Sequence, residues 1–96
     1  MTDIQKSVTV EVALLKALAI QEHYQNYINY VNFDRLLPET QVLLRSYEEY
    51  YKLYPEHVTV NFDTFMTQFC VNWHAQDMHQ DDVNFYRAAI QQLKED

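Results

Sequence analysis

Glycine is absent from the 96 residues of this chain, which also has only one cysteine and two prolines. Glycine is the usual residue of tight turns and helix C-caps because it adopts positive φ angles without a steric penalty. The favoured two-residue hairpin turns need such angles, so the absence of glycine argues against a β-rich fold. It also excludes the glycine loops that bind phosphates in P-loop and dinucleotide-binding proteins.

The single cysteine, Cys70, has no second cysteine in the chain with which to form a disulfide. Such usage is typical of a reducing compartment. The apolar stretch near the N-terminus is interrupted by Glu11 and Lys16, and no small-residue cleavage site follows it. It therefore fits neither a signal peptide nor a membrane span, and we expect a cytoplasmic protein with no membrane contact.

Basic residues are scarce, with seven against fourteen acidic residues and a formal net charge of -7. Nucleic-acid affinity depends largely on cations that neutralise phosphates, so we expect no direct nucleic-acid binding. An acidic surface more often faces a basic protein partner. Apolar residues make up 48% of the chain, enough for one core, and the length predicts a single domain over residues 1–96. Because a β-rich fold is disfavoured, we expect this single domain to be helical.

Apolar spacing in the first third of the chain predicts two short helices. The first apolar set, Val10 to Leu18, has helical spacing, and Ser7 or Thr9 is a candidate N-cap. A second set follows from Tyr24 to Phe33. No glycine or proline separates the two sets, so one bent helix is an alternative; we favour a break near Gln21 to His23.

The stretch PETQVLLRSYEEYYKLYP, from Pro38 to Pro55, predicts the longest helix, with one proline in its first turn and the other at its end. The residues expected to pack inward recur at i, i+4, i+7 and i+11 and are Leu43, Tyr47, Tyr50 and Tyr54. The opposite face carries two expected i,i+4 ion pairs, Arg45 with Glu49 and Glu48 with Lys52. Tyr51 lies on the flank of the inward stripe, and we predict it as a partner contact whose substitution leaves the fold intact.

After Pro55, the sequence predicts an extended piece at Val58 and Val60 and then two further helices. Asn61 is the candidate N-cap of the first, whose apolar face would be Phe62, Phe65, Met66 and Phe69. A polar loop, HAQDMHQDD, follows, and Asp81 or Asp82 is expected to cap the last helix. Its apolar residues are Val83, Tyr86, Ala89, Ile90 and Leu93. The fold class is thus all-α, a compact bundle of about five or six short helices.

One group of residues has the chemistry of a metal site. The candidate ligands are Cys70, His74 and His79, with Asp77, Asp81 or Asp82 as a possible fourth. Tetrahedral zinc sites usually have more closely paired ligands, and a buried cysteine with loop histidines is the simpler interpretation. A Cys70 nucleophile with His74 as base has no evident oxyanion donor beside it. We therefore predict no catalytic residue, no metal and no cofactor in this segment.

Taken in order, these segments resemble the N-terminal domain of DnaB-type replicative DNA helicases, particularly the phage branch of that family. The family begins with a helix of the form E-x-x-x-L-x-x-L, matched by VEVALLKALAI, and a short helix matched by YQNYINYVNF. Its long apolar helix is matched by TQVLLRSYEEYYKLY. The segment VNFDTF is similar to the V-D-x-V-T-L type opening of the next helix, and DDVNFYRAAIQQL resembles the last helix of the head.

The resemblance implies a helical head from a ring-shaped hexameric helicase of a bacterial or phage-infected cell. In the family, such heads help to assemble a collar and communicate with primase and the helicase loader. The ATPase motor would be a separate RecA-like domain outside this sequence, so this segment would not be an enzyme. The alternative is a stand-alone small acidic phage regulator or inhibitor that binds a basic protein surface.

Overall fold

The computed structural model describes residues 10–73 and 78–95, and the regular structure in these two ranges is helical. The all-α prediction is therefore confirmed for this part of the chain. The five α-helices are α1 (Val12–Ala17), α2 (Gln21–Tyr27), α3 (Pro38–Leu53), α4 (Phe62–Thr67) and α5 (Gln80–Glu95). Three shorter elements accompany them, the 3-10 turns Ile28–Tyr30 and Phe33–Arg35 and the π-helix Gln68–Trp73 that continues α4.

The helices form two units. Glu11–Asn61 make up one, the N-terminal unit, and the described residues from Phe62 onward belong to the other, the C-terminal unit. The prediction of a single domain over residues 1–96 stays a prediction. No helix in the described part of the chain combines the length and the apolar character that crossing a membrane requires.

The break between α1 and α2 lies at residues 18–20, just before the position expected from the sequence. Ile20 is extended there and pairs with Thr59 in an isolated antiparallel bridge. The Gln21 N–H donates to the Val58 carbonyl at 2.8 Å, and the Val60 N–H donates to the Ala19 carbonyl at 2.8 Å. The extended piece around Val58 and Val60 is confirmed, and its pairing with the α1–α2 junction explains why no glycine or proline is needed to separate the two helices.

Helix α3 begins at Pro38, as predicted, and its first turn is held by Glu11 from the start of α1. The Thr40 hydroxyl donates to one oxygen of the Glu11 carboxylate and accepts the Glu11 N–H at 2.9 Å. The other carboxylate oxygen accepts the Leu37 N–H at 3.3 Å. These bonds satisfy donors at a helix N-terminus, where a negative charge also favours the helix dipole.

Charged side chains on the outer face of α3 differ in part from the prediction. Lys52 lies 3.6 Å from Glu48, which confirms that pair, and 3.8 Å from Glu49. The predicted pair of Arg45 with Glu49 is wrong. The Arg45 guanidinium instead lies 5.1 Å from the centre of the Phe33 ring, where a cation is attracted to the aromatic face.

The C-terminal unit is built on aromatic packing between α4 with its π-helical extension and α5. Phe65 and Phe69 are fully buried, and the ring centres of Phe69 and Tyr86 are 5.0 Å apart. The buried residues of α5 are Tyr86, Ala89, Ile90 and Leu93, four of the five that were predicted. Lys94 on α5 also pairs with Asp63 on α4 at 2.8 Å.

The predicted cap of α5 needs correction. The helix begins at Gln80, and the His79 carbonyl accepts the N–H groups of Asp82 and Val83 at 3.0 Å. Asp81 and Asp82 therefore lie in the first turn instead of preceding it. Their carboxylates still suit that position because the N-terminal end of a helix is partially positive.

Candidate interaction surface

The eight tyrosines of the chain have sharply different environments. Those that are buried are Tyr47, Tyr50, Tyr51 and Tyr86, and those that are half-buried are Tyr24 and Tyr54. Tyr27 and Tyr30 are exposed, with 55% and 84% of their surface accessible to solvent. The first six account for the packing of the helices, so the other two are the candidates for contact with another molecule.

Two buried tyrosines of α3 hold the end of α1. The Tyr47 hydroxyl donates to the Leu15 carbonyl at 2.9 Å, and the Tyr51 hydroxyl donates to the Leu18 carbonyl at 3.1 Å. Burial is the main cause that raises the pKa of both phenols above the usual value, so both stay neutral donors. Their bonds satisfy carbonyls at a helix C-terminus, where intrahelical partners run out.

Tyr51 is the residue predicted from the sequence as a partner contact. Only 7% of its surface is exposed, because its ring lies between those of Tyr24 and Tyr50, with centres 5.2 and 5.7 Å away. The flank of the stripe is thus interior, and the expectation that a substitution here leaves the fold intact is corrected. The contact with a partner itself stays a prediction.

Tyr50 and Tyr54 hold the segment that follows α3. The Tyr50 hydroxyl accepts the Asn61 N–H at 3.0 Å and lies 2.5 Å from Nδ1 of His57. Tyr54 stacks on the His57 ring with centres 4.9 Å apart and planes inclined by 20°. Tyr54 was predicted to point inward with Tyr50, but it is only half-buried. The helix ends at Leu53, and the Tyr54 ring packs on the segment that follows the helix.

Helix α2 and the 3-10 turn after it contain no fully buried residue. Tyr24 attaches the helix through its contact with the Tyr51 ring. Burial raises the pKa of Tyr24 to about 12, and the nearby Glu48 carboxylate is a second, smaller cause. The opposite side of α2 faces outward, and its exposed residues are Glu22, His23, Gln25, Asn26, Tyr27, Asn29 and Tyr30.

We call these seven residues the tyrosine face. His23, Tyr27 and Tyr30 follow one another at i, i+4 and i+7, and the His23 and Tyr27 rings meet edge to face with centres 6.1 Å apart. Neither Tyr27 nor Tyr30 hydrogen-bonds through its hydroxyl to the described part of the chain. The tyrosine face therefore presents two phenols and three amide side chains to a partner.

From the sequence, Tyr24 belongs to an apolar helix stripe with Ile28 and Val31, Tyr27 lies beside that stripe, and Tyr30 has no assigned environment. One signal was available. Apart from the two tyrosines and Ile28, the positions from Glu22 to Asn29 hold only amide residues, one glutamate and one histidine. Only one flank of this helix therefore has apolar residues to bury. Helical spacing alone does not tell a buried tyrosine from an exposed one.

The candidate metal ligands are only partly within the described residues. His74 and Asp77 lie outside them. Cys70 is half-buried in the π-helix, whereas His79, Asp81 and Asp82 are exposed at the start of α5. Among the described residues, no three histidine, cysteine, aspartate or glutamate side chains are grouped as metal ligands.

Comparison of the chain with protein-family models, with curated proteins and with solved structures finds no significant match.

Proposed function

We propose that this chain is a non-catalytic protein-interaction domain of the kind that forms the head of a DnaB-type hexameric replicative helicase. The observation that carries the proposal is the order and length of the helices. Two short helices precede the sixteen-residue α3, an extended piece follows it, and α4 begins directly after Asn61. This is the order of elements that the resemblance of the sequence implies.

The long helix gives the most detailed support. The family places its large apolar residues on this helix, and α3 buries seven residues, including three of its tyrosines. Glu11 is the glutamate that opens the E-x-x-x-L-x-x-L helix, and its carboxylate binds the first turn of α3. The matched segments that contain α1 and α3 thus pack together within the N-terminal unit.

In the proposed role, the domain assembles with other copies in a collar and contacts primase and the helicase loader. ATP binding and DNA unwinding belong to a motor domain elsewhere in the parent protein. The net charge of -7 agrees with a role in protein contacts, because phosphate binding would need a basic surface.

Two experiments test the proposal. The open reading frame is expected to continue beyond Asp96 into a RecA-like domain with a G-x-x-x-x-G-K-[ST] motif. The purified chain is expected to bind the primase encoded by the same replicon in a calorimetric titration while hydrolysing no ATP. A reading frame that stops at Asp96, together with no primase binding, would overturn the proposal.

The second candidate is a small acidic regulator that binds a basic surface on another protein. The charge of -7 and the exposed glutamates of α3 favour it. A terminating reading frame, together with capture of a basic enzyme that the chain inhibits, is the outcome expected in that case.

A further inference from the structure

The tyrosine face is unusual for a surface that meets only water. Tyr30 is 84% exposed, the highest fraction among the large apolar side chains of the described residues. Tyrosine and asparagine are residues that protein-binding surfaces use repeatedly, because a phenol ring offers a large, rigid contact area with a polar tip. The composition of the face therefore suits recognition of another protein.

The charge on the tyrosine face and on the neighbouring surface of α3 is mainly negative. Glu22 lies on the face itself, and Glu48 of α3 lies near Tyr24, on the side of α2 that packs against α3. Glu48 and Glu49 share a single cation, Lys52. In the second 3-10 turn, Phe33–Arg35, the opposite charges of Asp34 and Arg35 offset one another. A partner with positive charge is therefore favoured, and a second copy of this chain would bring carboxylates against carboxylates.

The N-terminal unit already contains one cation on an aromatic ring. The guanidinium of Arg45 lies over Phe33, three residues beyond Tyr30 in the sequence. Arginine stacks on aromatic faces more readily than lysine, because its guanidinium is planar and less strongly hydrated. Tyr27 and Tyr30 are the exposed rings on which arginine side chains from outside can be received in the same way.

We infer, on the basis of the proposed interaction function, that the tyrosine face binds a basic segment of a partner protein whose arginine side chains stack on Tyr27 and Tyr30. The Glu22 carboxylate and the net negative charge of the chain attract the segment, and the two rings select arginine over lysine. Nucleic acid and anionic membranes are disfavoured as occupants because both carry the same sign of charge as this surface.

The test measures the binding of a fluorescent nona-arginine peptide to the 96-residue chain by anisotropy at physiological ionic strength. The double variant Tyr27→Ser with Tyr30→Ser is expected to bind about tenfold more weakly, because it loses both rings without a change of charge. The variant Tyr27→Phe with Tyr30→Phe keeps the rings and is expected to stay within about twofold of the wild type. A nona-lysine peptide of equal charge is expected to bind the wild type more weakly.

Two controls distinguish the effect of losing the tyrosine rings from the effect of losing exposed apolar surface and from a loss of folding. Val58→Ser changes another exposed apolar residue of the same unit, 72% exposed, and is expected to leave peptide binding unchanged. Circular dichroism of each variant checks that the helices persist. Equal binding by the wild type and the serine variant would overturn the inference, since charge alone would then explain the affinity.

Two other outcomes would also overturn it. One is a wild-type dimer that the serine variant converts to a monomer, which would assign the face to a second copy. The other is tyrosine-dependent binding of a single-stranded oligonucleotide. A negative peptide-binding result would not change the outcome of the reading-frame and primase tests. Failure of this inference is therefore distinguishable from failure of the proposed function.

Discussion

Glu11 and Thr40 bind each other reciprocally across 29 residues of sequence: the Thr40 hydroxyl donates to the Glu11 carboxylate and accepts the Glu11 backbone N–H. A capping box also pairs a Ser or Thr hydroxyl with a backbone N–H of a Glu three residues on, but there the carboxylate accepts a backbone N–H instead of the hydroxyl. Here the Glu11–Thr40 pair joins the start of α1 to the first turn of α3, and Thr40 is fully buried. The pair therefore fixes where two helices begin relative to each other within the N-terminal unit.

Removing either partner is expected to destabilise the fold. We expect Glu11→Ala and Thr40→Val each to lower the free energy of unfolding by about 1–2 kcal/mol, because each leaves helix donors or a buried polar group unsatisfied. The double variant should lose less than the sum, since both substitutions remove one interaction. Urea denaturation gives the three values. The exposed Glu22→Ala is the control, and an equally small effect of Glu11→Ala would contradict the prediction.

The buried phenol groups make a second prediction. Tyr51→Phe and Tyr47→Phe each delete one hydroxyl that donates to a carbonyl of the α1 end, at a cost of about 1 kcal/mol. Tyr30→Phe, on the exposed face, is expected to change stability by less than about 0.5 kcal/mol. Thermal unfolding of the three variants compares them directly. Equal melting temperatures for all three would refute the hydrogen-bonding role.

Alkaline pH is expected to weaken the N-terminal unit. The pKa of Tyr24 is raised from 10.0 to about 12, and burial also raises the pKa values of Tyr47 and Tyr51. A raised folded-state pKa means that the unfolded chain loses the proton first. The stabilisation is therefore complete below pH 10 and is lost as the pH rises through 12.

Urea unfolding at a series of pH values, with tyrosinate absorbance recorded alongside, measures this loss. Tyr47→Phe removes one of the buried phenols, so its stability should fall less steeply above pH 10 than that of the wild type. Parallel pH profiles for the two proteins would show that the phenol of Tyr47 is not responsible.

Two leucines on α3 provide a matched pair for core packing. Leu43 is fully buried, whereas Leu53, ten residues further on the same helix, is 54% exposed. Leu43→Ala is expected to cost about 2–5 kcal/mol, because it removes buried apolar atoms and leaves a cavity. Leu53→Ala should change stability by less than about 1 kcal/mol. Chemical denaturation of both variants checks this, and similar losses would place Leu43 outside the core.

The boundaries of α3 could be predicted because local chemistry sets them. Pro38 fits a first helical turn and Pro55 cannot continue a helix, so both act within a few residues. Its inward residues followed from helical spacing for the same reason. The burial of Leu43, Tyr47 and Tyr50 is therefore readable from the sequence.

Other features depend on contacts between distant residues and could not be read from local patterns. The α1–α2 break depends on the pairing of Ile20 with Thr59. Arg45 has Glu49 within reach on its own helix, yet it lies over Phe33 from another element. The tyrosine face was missed because tertiary packing decides which side of α2 is covered. Its residues became a candidate site only once the burial of each tyrosine was known.

No described residue of this chain has a positive φ angle. The helices are bounded by 3-10 turns or by extended residues such as Ile20 and Val31, and side chains from other elements contact their ends. Glycine has the greatest conformational freedom in an unfolded chain, so its absence narrows the unfolded ensemble and reduces the entropy lost on folding. A sequence without glycine can therefore keep a small helical unit folded with less buried apolar surface than a glycine-rich chain of the same length would need.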